Sequence, residues 1–330
     1  MKKYPRIVFM GSPDFAVYSL EKLLEQKYPV VSVVTIPDKR AGRGQKIFEP
    51  AVKKYALIHK LTILQPERVR DASFLETLRN LQPDVIIVVA FRMLPKVVWS
   101  MPKLGTFNLH ASLLPNYRGA APIQWAIMNG EKETGVTTFL LDEHIDSGAI
   151  LLQKKTLIDP EETFGSLYQR LAEMGADLVL KTLQGITEKS LQPQSQIIKE
   201  NLKTAPKLFH QDGKIHWQAP VEDICNKIRG LNPYPGAWTQ LTNESGKKML
   251  FKIYRATYSY KLHSQPVGTI ILKNKEMKIA IIGGYISIIE GQLEGRRRMQ
   301  ADELINGLQR KNSIVLDDEI LDQSITEIFQ

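Results

Sequence analysis

The sequence predicts an α/β chain in two parts. An N-terminal domain is built on a doubly wound, mostly parallel sheet, and a smaller C-terminal β-barrel follows it. Three observations lead there. Over residues 1–191 short β-branched runs alternate with amphipathic stretches, the pattern of parallel strands joined by helical crossovers. Residues 192–206 are rich in Gln, Ser, Lys and Pro, carry no period and are expected to be a linker. Beyond them, short strand-like runs are separated by turn residues, as in a small barrel or sandwich. Two domains also suit 330 residues at about 150 per domain.

The elements follow in order. Arg6–Met10, Val30–Thr35, Val85–Ala90 and Thr106–Leu109 read as strands. The third is apolar without alternation, as a strand covered on both faces must be. Phe15–Gln26 puts Ala16, Leu20, Leu23 and Leu24 on one helical face, and Ala51–His59 and Ala72–Leu81 repeat the pattern. Val136–Leu141 and Ala149–Lys154 form an expected hairpin, and Thr163–Glu188 a long helix. In residues 207–316, strands are expected at Met249–Tyr258, Val267–Leu272, Met277–Ile282 and Tyr285–Gln292, with helices at Val221–Arg229 and Ala301–Leu308. A compact five-stranded barrel with a basic face is a common nucleic-acid platform. Residues 317–330 are an acidic tail.

Composition narrows the function. The longest apolar stretches, Val85–Phe91 and Ile279–Ile289, fall short of the roughly 18 residues of a membrane helix. No secretory signal is visible at the N-terminus, so a cytoplasmic protein is expected. A single cysteine, Cys225, excludes an internal disulfide and a multi-thiolate metal site. The formal charge is +9, and residues 202–316 carry 18 basic against 9 acidic side chains. Such a field attracts polyanions, although a modest surplus also serves solubility.

Gly11 follows the first strand, but Ser12, Pro13 and Asp14 stand where a dinucleotide fingerprint needs further glycine. A nicotinamide cofactor is therefore disfavoured. Pro13 suits the first helical turn and Asp14 a capping position. In GTFNLHASLLPNYRGAAPIQWAI, Asn108 and His110 lie two apart at a strand end and so point to one side. That end is where open parallel sheets bind ligands. Gly119 is expected to open the next helix. A carboxamide beside an imidazole supplies two donors for a developing oxyanion; a capping Asn and a core His remain the plainer alternatives. Asp146 lies in the turn of the expected hairpin, where Asp is common. From the same sheet edge its carboxylate would orient His110 and favour the imidazolium. No Ser or Cys nucleophile is marked out, which suits direct attack of an amine on an acyl carbon. Lys39, Arg40, Arg43 and Lys46 oppose only Asp38 in a glycine-containing loop; the loop suits phosphate, or is simply solvated. Arg296–Arg298 form a second basic cluster, and the four Trp residues are expected in the cores.

Together these residues resemble the methionyl-tRNA formyltransferase family. The block Ser112-Leu113-Leu114-Pro115-Asn116-Tyr117-Arg118-Gly119-Ala120-Ala121-Pro122 is the most specific element. Asn108, His110 and the Asp146 of HIDSG match the family's catalytic residues, and Pro37–Lys46 matches its inserted tRNA-binding loop. Gly11–Ala16, Trp125 and Leu231–Trp238 extend the match over about residues 5–312. The resemblance implies a Rossmann-like catalytic domain (1–191) and an OB-like tRNA-binding barrel (207–316). It implies 10-formyltetrahydrofolate as co-substrate, bound by Val89, Phe91, Leu94, Ser112, Leu113, Leu114, Pro115, Leu140 and Asp142. It further implies initiator methionyl-tRNA as partner, contacted by Lys39, Arg40, Arg43 and Lys46, with no metal, no membrane and a monomer. The segment Val89–Pro95 departs from the family pattern: Arg92 stands where glycine is usual, and one residue is missing. The alternatives are a formyltransferase for glycinamide ribonucleotide or an amino sugar, a 10-formyltetrahydrofolate hydrolase, a dehydrogenase, and a non-catalytic RNA-binding protein. The barrel and the basic loop favour tRNA.

Overall fold

The computed structural model describes residues 4–41, 46–198, 200–243, 246–309 and 314–316. Arg43 and the acidic tail lie outside the described residues. The described residues form two compact units. One is drawn from Met1–Pro122, Glu133–Leu157 and Tyr168–Pro206, the other from Ile123–Lys132, Ile158–Leu167 and Lys207–Gln330.

Along the chain come β1 (Ile7–Gly11), α1 (Asp14–Glu25), β2 (Val30–Val34), β3 (Lys39–Ala41), β4 (Lys46–Phe48), α2 (Ala51–Ile58) and β5 (Ile63–Leu64). Next are α3 (Ala72–Asn80), β6 (Val85–Val89), α4 (Lys96–Trp99), β7 (Thr106–His110), β8 (Arg118–Gly119) and α5 (Pro122–Met128). β9 (Glu133–Leu140), β10 (Ile150–Leu157), α6 (Phe164–Thr187) and β11 (Thr204–Ala205) follow.

The first unit is a seven-stranded sheet in the order β10-β9-β7-β6-β1-β2-β5. β5, β2, β1, β6 and β7 run parallel, and β9 turns the direction by pairing antiparallel with β7 and β10. The α/β expectation therefore holds, including the hairpin and the long helix. Ile7, Phe9, Ile86, Ile87 and Val89 have 0% exposure, because helices cover both faces of the central strands. On one face Val8, Met10, Ile86 and Val88 pack with Phe74 and Leu78 of α3 and Val98 of α4. Each fully buried aliphatic of this kind contributes about 1.5–3 kcal/mol.

Two local expectations are corrected. Gly119 does not open a helix: it lies in β8, paired to Ala205 of β11, and α5 starts at Pro122. Proline disfavours helical backbone in the residue before it and is at home at the first helical position. Asp14 is the first residue of α1 and makes no N-cap bond; Pro13 holds the cap position. Its carboxylate instead accepts from Tyr168 Oη (2.5 Å) and from the Phe15 amide (3.1 Å). Desolvation first, then the Asp14 hydrogen bond, push the Tyr168 phenol above its ordinary range, so it remains a donor.

In the second unit, a 3₁₀ turn (His210–Gly213) and α7 (Val221–Gly230) precede β12 (Ala237–Asn243), β13 (Lys248–Tyr260), β14 (Ile270–Lys273), β15 (Glu276–Ile281) and β16 (Gly284–Leu293). β17 (Met299–Gln300), α8 (Ala301–Gln309) and β18 (Ile314–Leu316) complete it. The strands form an antiparallel sheet in the order β14-β15-β16-β13-β12-β18, with β17 on β16, and the edges β14 and β18 approach each other. The main path thus adds β12 and β18 to the four strands expected. Val221, Ile224, Cys225 and Ile228 of α7, spaced for one helical face, pack with Phe251, Ile253, Ile279 and Ile286. Burial pushes the Cys225 thiol up to about 12, as befits a core side chain. Trp217 and Trp238 are also core, donating to Thr239 Oγ1 and His210 O.

Candidate active site

β7 presents Asn108 and His110 on one face, at the end of the sheet where ligands enter. β9 lies beside it, with Phe139 opposite Asn108 and Thr137 opposite His110. Asn108 is half-buried, and among the described residues its carboxamide has no hydrogen-bond partner. His110 is 6% exposed. Its Nε2 lies 2.8 Å from Tyr117 O; a carbonyl only accepts, so Nε2–H donates. The other ring nitrogen, Nδ1, faces Asp146 Oδ2 at 3.8 Å. The neutral ring offers a lone pair there and the protonated ring an N–H.

A separation of 3.8 Å lies beyond a direct hydrogen bond. A single polar atom set to one side of that line can lie about 2.9 Å from both groups. The site can therefore share an amine or a water between imidazole and carboxylate. The ring is oriented by the Tyr117 carbonyl, where the sequence pointed to Asp146 for that task.

Asp146 adopts φ +50° and Tyr117 φ +61°, left-handed conformations that non-glycine residues seldom take. Each is held. Asp146 Oδ2 accepts from the Gly119 amide at 2.9 Å, and Tyr117 N donates to Lys203 O at 2.6 Å. Gly119 cannot carry a side chain, since a Cβ would sit 2.3 Å from Ala205 O at φ +125°. Asp142 braces the Asp146 turn, accepting from the His144 amide (3.0 Å) and Ser147 Oγ (2.6 Å).

The residues expected to wall a co-substrate divide by exposure. Leu113, Pro115, Phe91 and Leu140 are half-buried, and Leu94 and Leu114 nearly buried. Val89 and Ser112 have 0% exposure, so they shape the wall without offering it side-chain surface. Ser112 Oγ donates to Asn116 O at 2.7 Å. Arg92 donates to Glu67 O (2.7 Å) and Pro66 O and lies over the Phe91 ring. It ties the segment after β6 to the residues that follow β5. An unpartnered carboxamide beside half-buried apolar side chains suits a ligand with a flat apolar body and a polar acyl group.

The basic loop contains a hairpin, with Lys39 opposite Phe48 and Arg40 opposite Ile47. Lys39 is exposed. At the base, Asp38 bonds Lys53 and Gln65, and the Lys53 ammonium above all holds its carboxyl below the ordinary range.

Tyr117, Gln196 and Lys203 were missed from the sequence. Tyr117 and Lys203 act through backbone atoms, which any residue type supplies. Gln196 sits in a segment without period.

Comparisons with known proteins bear on the family. Residues 5–183 match the formyl transferase family model, and residues 207–309 the model of the formyl transferase C-terminal domain. The chain is 50% identical over 303 residues to the methionyl-tRNA formyltransferase of Flavobacterium johnsoniae, covering 92% of this chain and 96% of that one. It is 46% identical to the enzyme of that name from Bacteroides thetaiotaomicron, with the same coverage. Among solved structures, HypX from Aquifex aeolicus in complex with tetrahydrofolic acid aligns with a TM-score of 0.63 at 19% identity. That match covers 93% of this chain and about half (48%) of HypX. WlaRD, a sugar 3N-formyl transferase, aligns with a TM-score of 0.63 at 22% identity, covering 89% of this chain and 100% of that one. These structures share the fold. With both family models matched in order and half of the aligned residues identical to a relative over nearly its whole length, the chain belongs to the methionyl-tRNA formyltransferase family.

Proposed function

We propose that this protein transfers a formyl group from 10-formyltetrahydrofolate to the α-amine of methionine esterified to initiator tRNA. The observation that supports the chemistry is the approach of His110 Nδ1 to Asp146 Oδ2 at 3.8 Å, with Asn108 two residues before His110 on β7. The co-substrate supplies an activated formyl carbon; the new bond to the amine nitrogen is balanced by cleavage of the bond to folate N10, which takes up a proton as tetrahydrofolate leaves. The α-amine has a reference pKa of about 8, so a useful fraction is neutral near pH 7 and attacks without a protein nucleophile. Asn108 and protonated His110 donate to the negative charge that grows on the formyl oxygen. One such donor is worth about 3 kcal/mol of transition-state stabilisation. Asp146 lies where it can accept the proton that the amine loses, directly or through water. General-base assistance of this kind contributes roughly two to four decades in rate.

Phe91, Leu94, Leu113, Leu114, Pro115 and Leu140 would hold the folate body, with Val89, Ser112 and Asp142 keeping their loops in shape. Lys39, Arg40, Arg43 and Lys46, together with the basic second unit, would supply phosphate contacts to tRNA. Among the described residues no helix is long and apolar enough to cross a membrane. We place the protein in the cytoplasm as a monomer, and its lone buried thiol suits that compartment.

The test is tetrahydrofolate release from 10-formyltetrahydrofolate. Release is expected only when methionyl-tRNA is present, with formylmethionyl-tRNA formed in equal amount. Release without tRNA, or with a small amine in its place, would overturn the proposal.

A further inference from the structure

We infer that Gln196 is a positioning residue for Asp146, and that the contacts of Gln194, Gln196 and Lys203–Ala205 act as a strap setting the geometry of the reacting groups; this rests on the activity proposed above. The segment reads as a linker, yet it is fastened near both ends. Gln194 exchanges two backbone hydrogen bonds with Ile150, at 2.7 and 2.8 Å. Lys203 accepts from Tyr117 N at 2.6 Å. Thr204 and Ala205 pair with Arg118 and Gly119.

Between these fastenings, Gln196 uses its whole carboxamide. Its oxygen accepts from Arg118 Nη2 (2.6 Å) and Nε (3.2 Å). Its nitrogen donates to Asp146 O (2.9 Å) and Gly148 O (2.8 Å). The circuit then closes, because the Asp146 carboxylate accepts from the amide of Gly119, the residue after Arg118. Asp146 is thus gripped through its backbone by Gln196 and through its side chain by Gly119, in a conformation it would otherwise leave. The same strap holds Tyr117, whose carbonyl orients His110. Both partners of the 3.8 Å pair take their places from one segment.

An isosteric loss of the grip lets the Asp146 turn relax, and a misplacement of about 1 Å costs about 10²-fold in rate. Two variants test this. Gln196→Met keeps length and removes every hydrogen bond. Gln196→Glu keeps an acceptor for Arg118 and loses both donors to the turn. Both are expected to lower kcat about 10²-fold while KM for methionyl-tRNA stays within about twofold. In an Asp146→Asn background, Gln196→Met should add less than about threefold, since the two act as a unit. Independently of turnover, the Gly119 amide should exchange its hydrogen faster in Gln196→Met than in wild type.

Unchanged kcat, a loss confined to KM, effects that multiply with Asp146→Asn, or unchanged Gly119 exchange would each overturn the strap. So would full activity in Gln196→Glu. If Gln196→Met does not fold, Arg118→Met frees the same carboxamide from its other side and is read identically. A wild-type protein that forms no formylmethionyl-tRNA defeats the proposed activity instead, and Gly119 exchange still decides the strap.

Discussion

Asp146→Asn removes the negative charge beside His110 and, with it, the acceptor proposed for the amine's proton, so the charge alone sets the least loss to expect. The carboxamide is isosteric and its oxygen can still accept from the Gly119 amide, so the turn keeps its anchor. What disappears is a charge 3.8 Å from Nδ1, between side chains only 7% and 16% exposed. At that separation a unit pair is worth about 4 kcal/mol at an effective dielectric of about 20. Partial solvent screening reduces this to about 3 kcal/mol, or about 10²-fold in rate. The charge matters most as the ring donates to the growing oxyanion, so the loss should fall on kcat. Initial rates of formyl transfer with both substrates saturating, KM for each substrate, and thermal unfolding of the variant give the answer. A kcat within about threefold of wild type, or a loss found wholly in KM, would refute the charge argument.

Other expectations follow from the same contacts. Gly119→Ala drives a Cβ to 2.3 Å from Ala205 O at φ +125°; it should cost about 1–3 kcal/mol of stability by denaturant unfolding and lower kcat through Asp146. Lys39→Ala and Arg43→Ala should each weaken tRNA binding and reduce the slope of log affinity against log salt by about 1, measured by titration at several salt concentrations. Asp38 has its carboxyl depressed by Lys53, so its contribution to stability is present above about pH 4 and lost as the pH falls through the lowered folded value. Asp38→Asn should therefore lower the melting temperature at pH 7, and by progressively less as the pH falls below about 4, read from thermal unfolding across that range.

The sequence disclosed what repeats locally. Val85–Val89 reads as a buried strand because both faces are apolar, and Asn108 and His110 share a side because strands alternate. Asp146 stands out as the acid of a turn between two strand patterns. Long-range polar bonds were illegible. Nothing in Gln194–Gln196 distinguishes a carboxamide that holds a turn from one in solvent. The β3–β4 hairpin has too few residues to alternate, and β12 hides behind Pro233, Pro235 and Gly236, which read only as a turn. Gly119 was misplaced because the proline three residues on, rather than the glycine, decides where a helix can start.

The Tyr117 carbonyl that receives Nε2–H belongs to the main chain, so exchanging the Tyr117 side chain leaves it in place. The imidazole accordingly has one working port. In the proposed reaction Nδ1 is thus the ring nitrogen that donates to the acyl oxygen, on the side that also faces the Asp146 carboxylate.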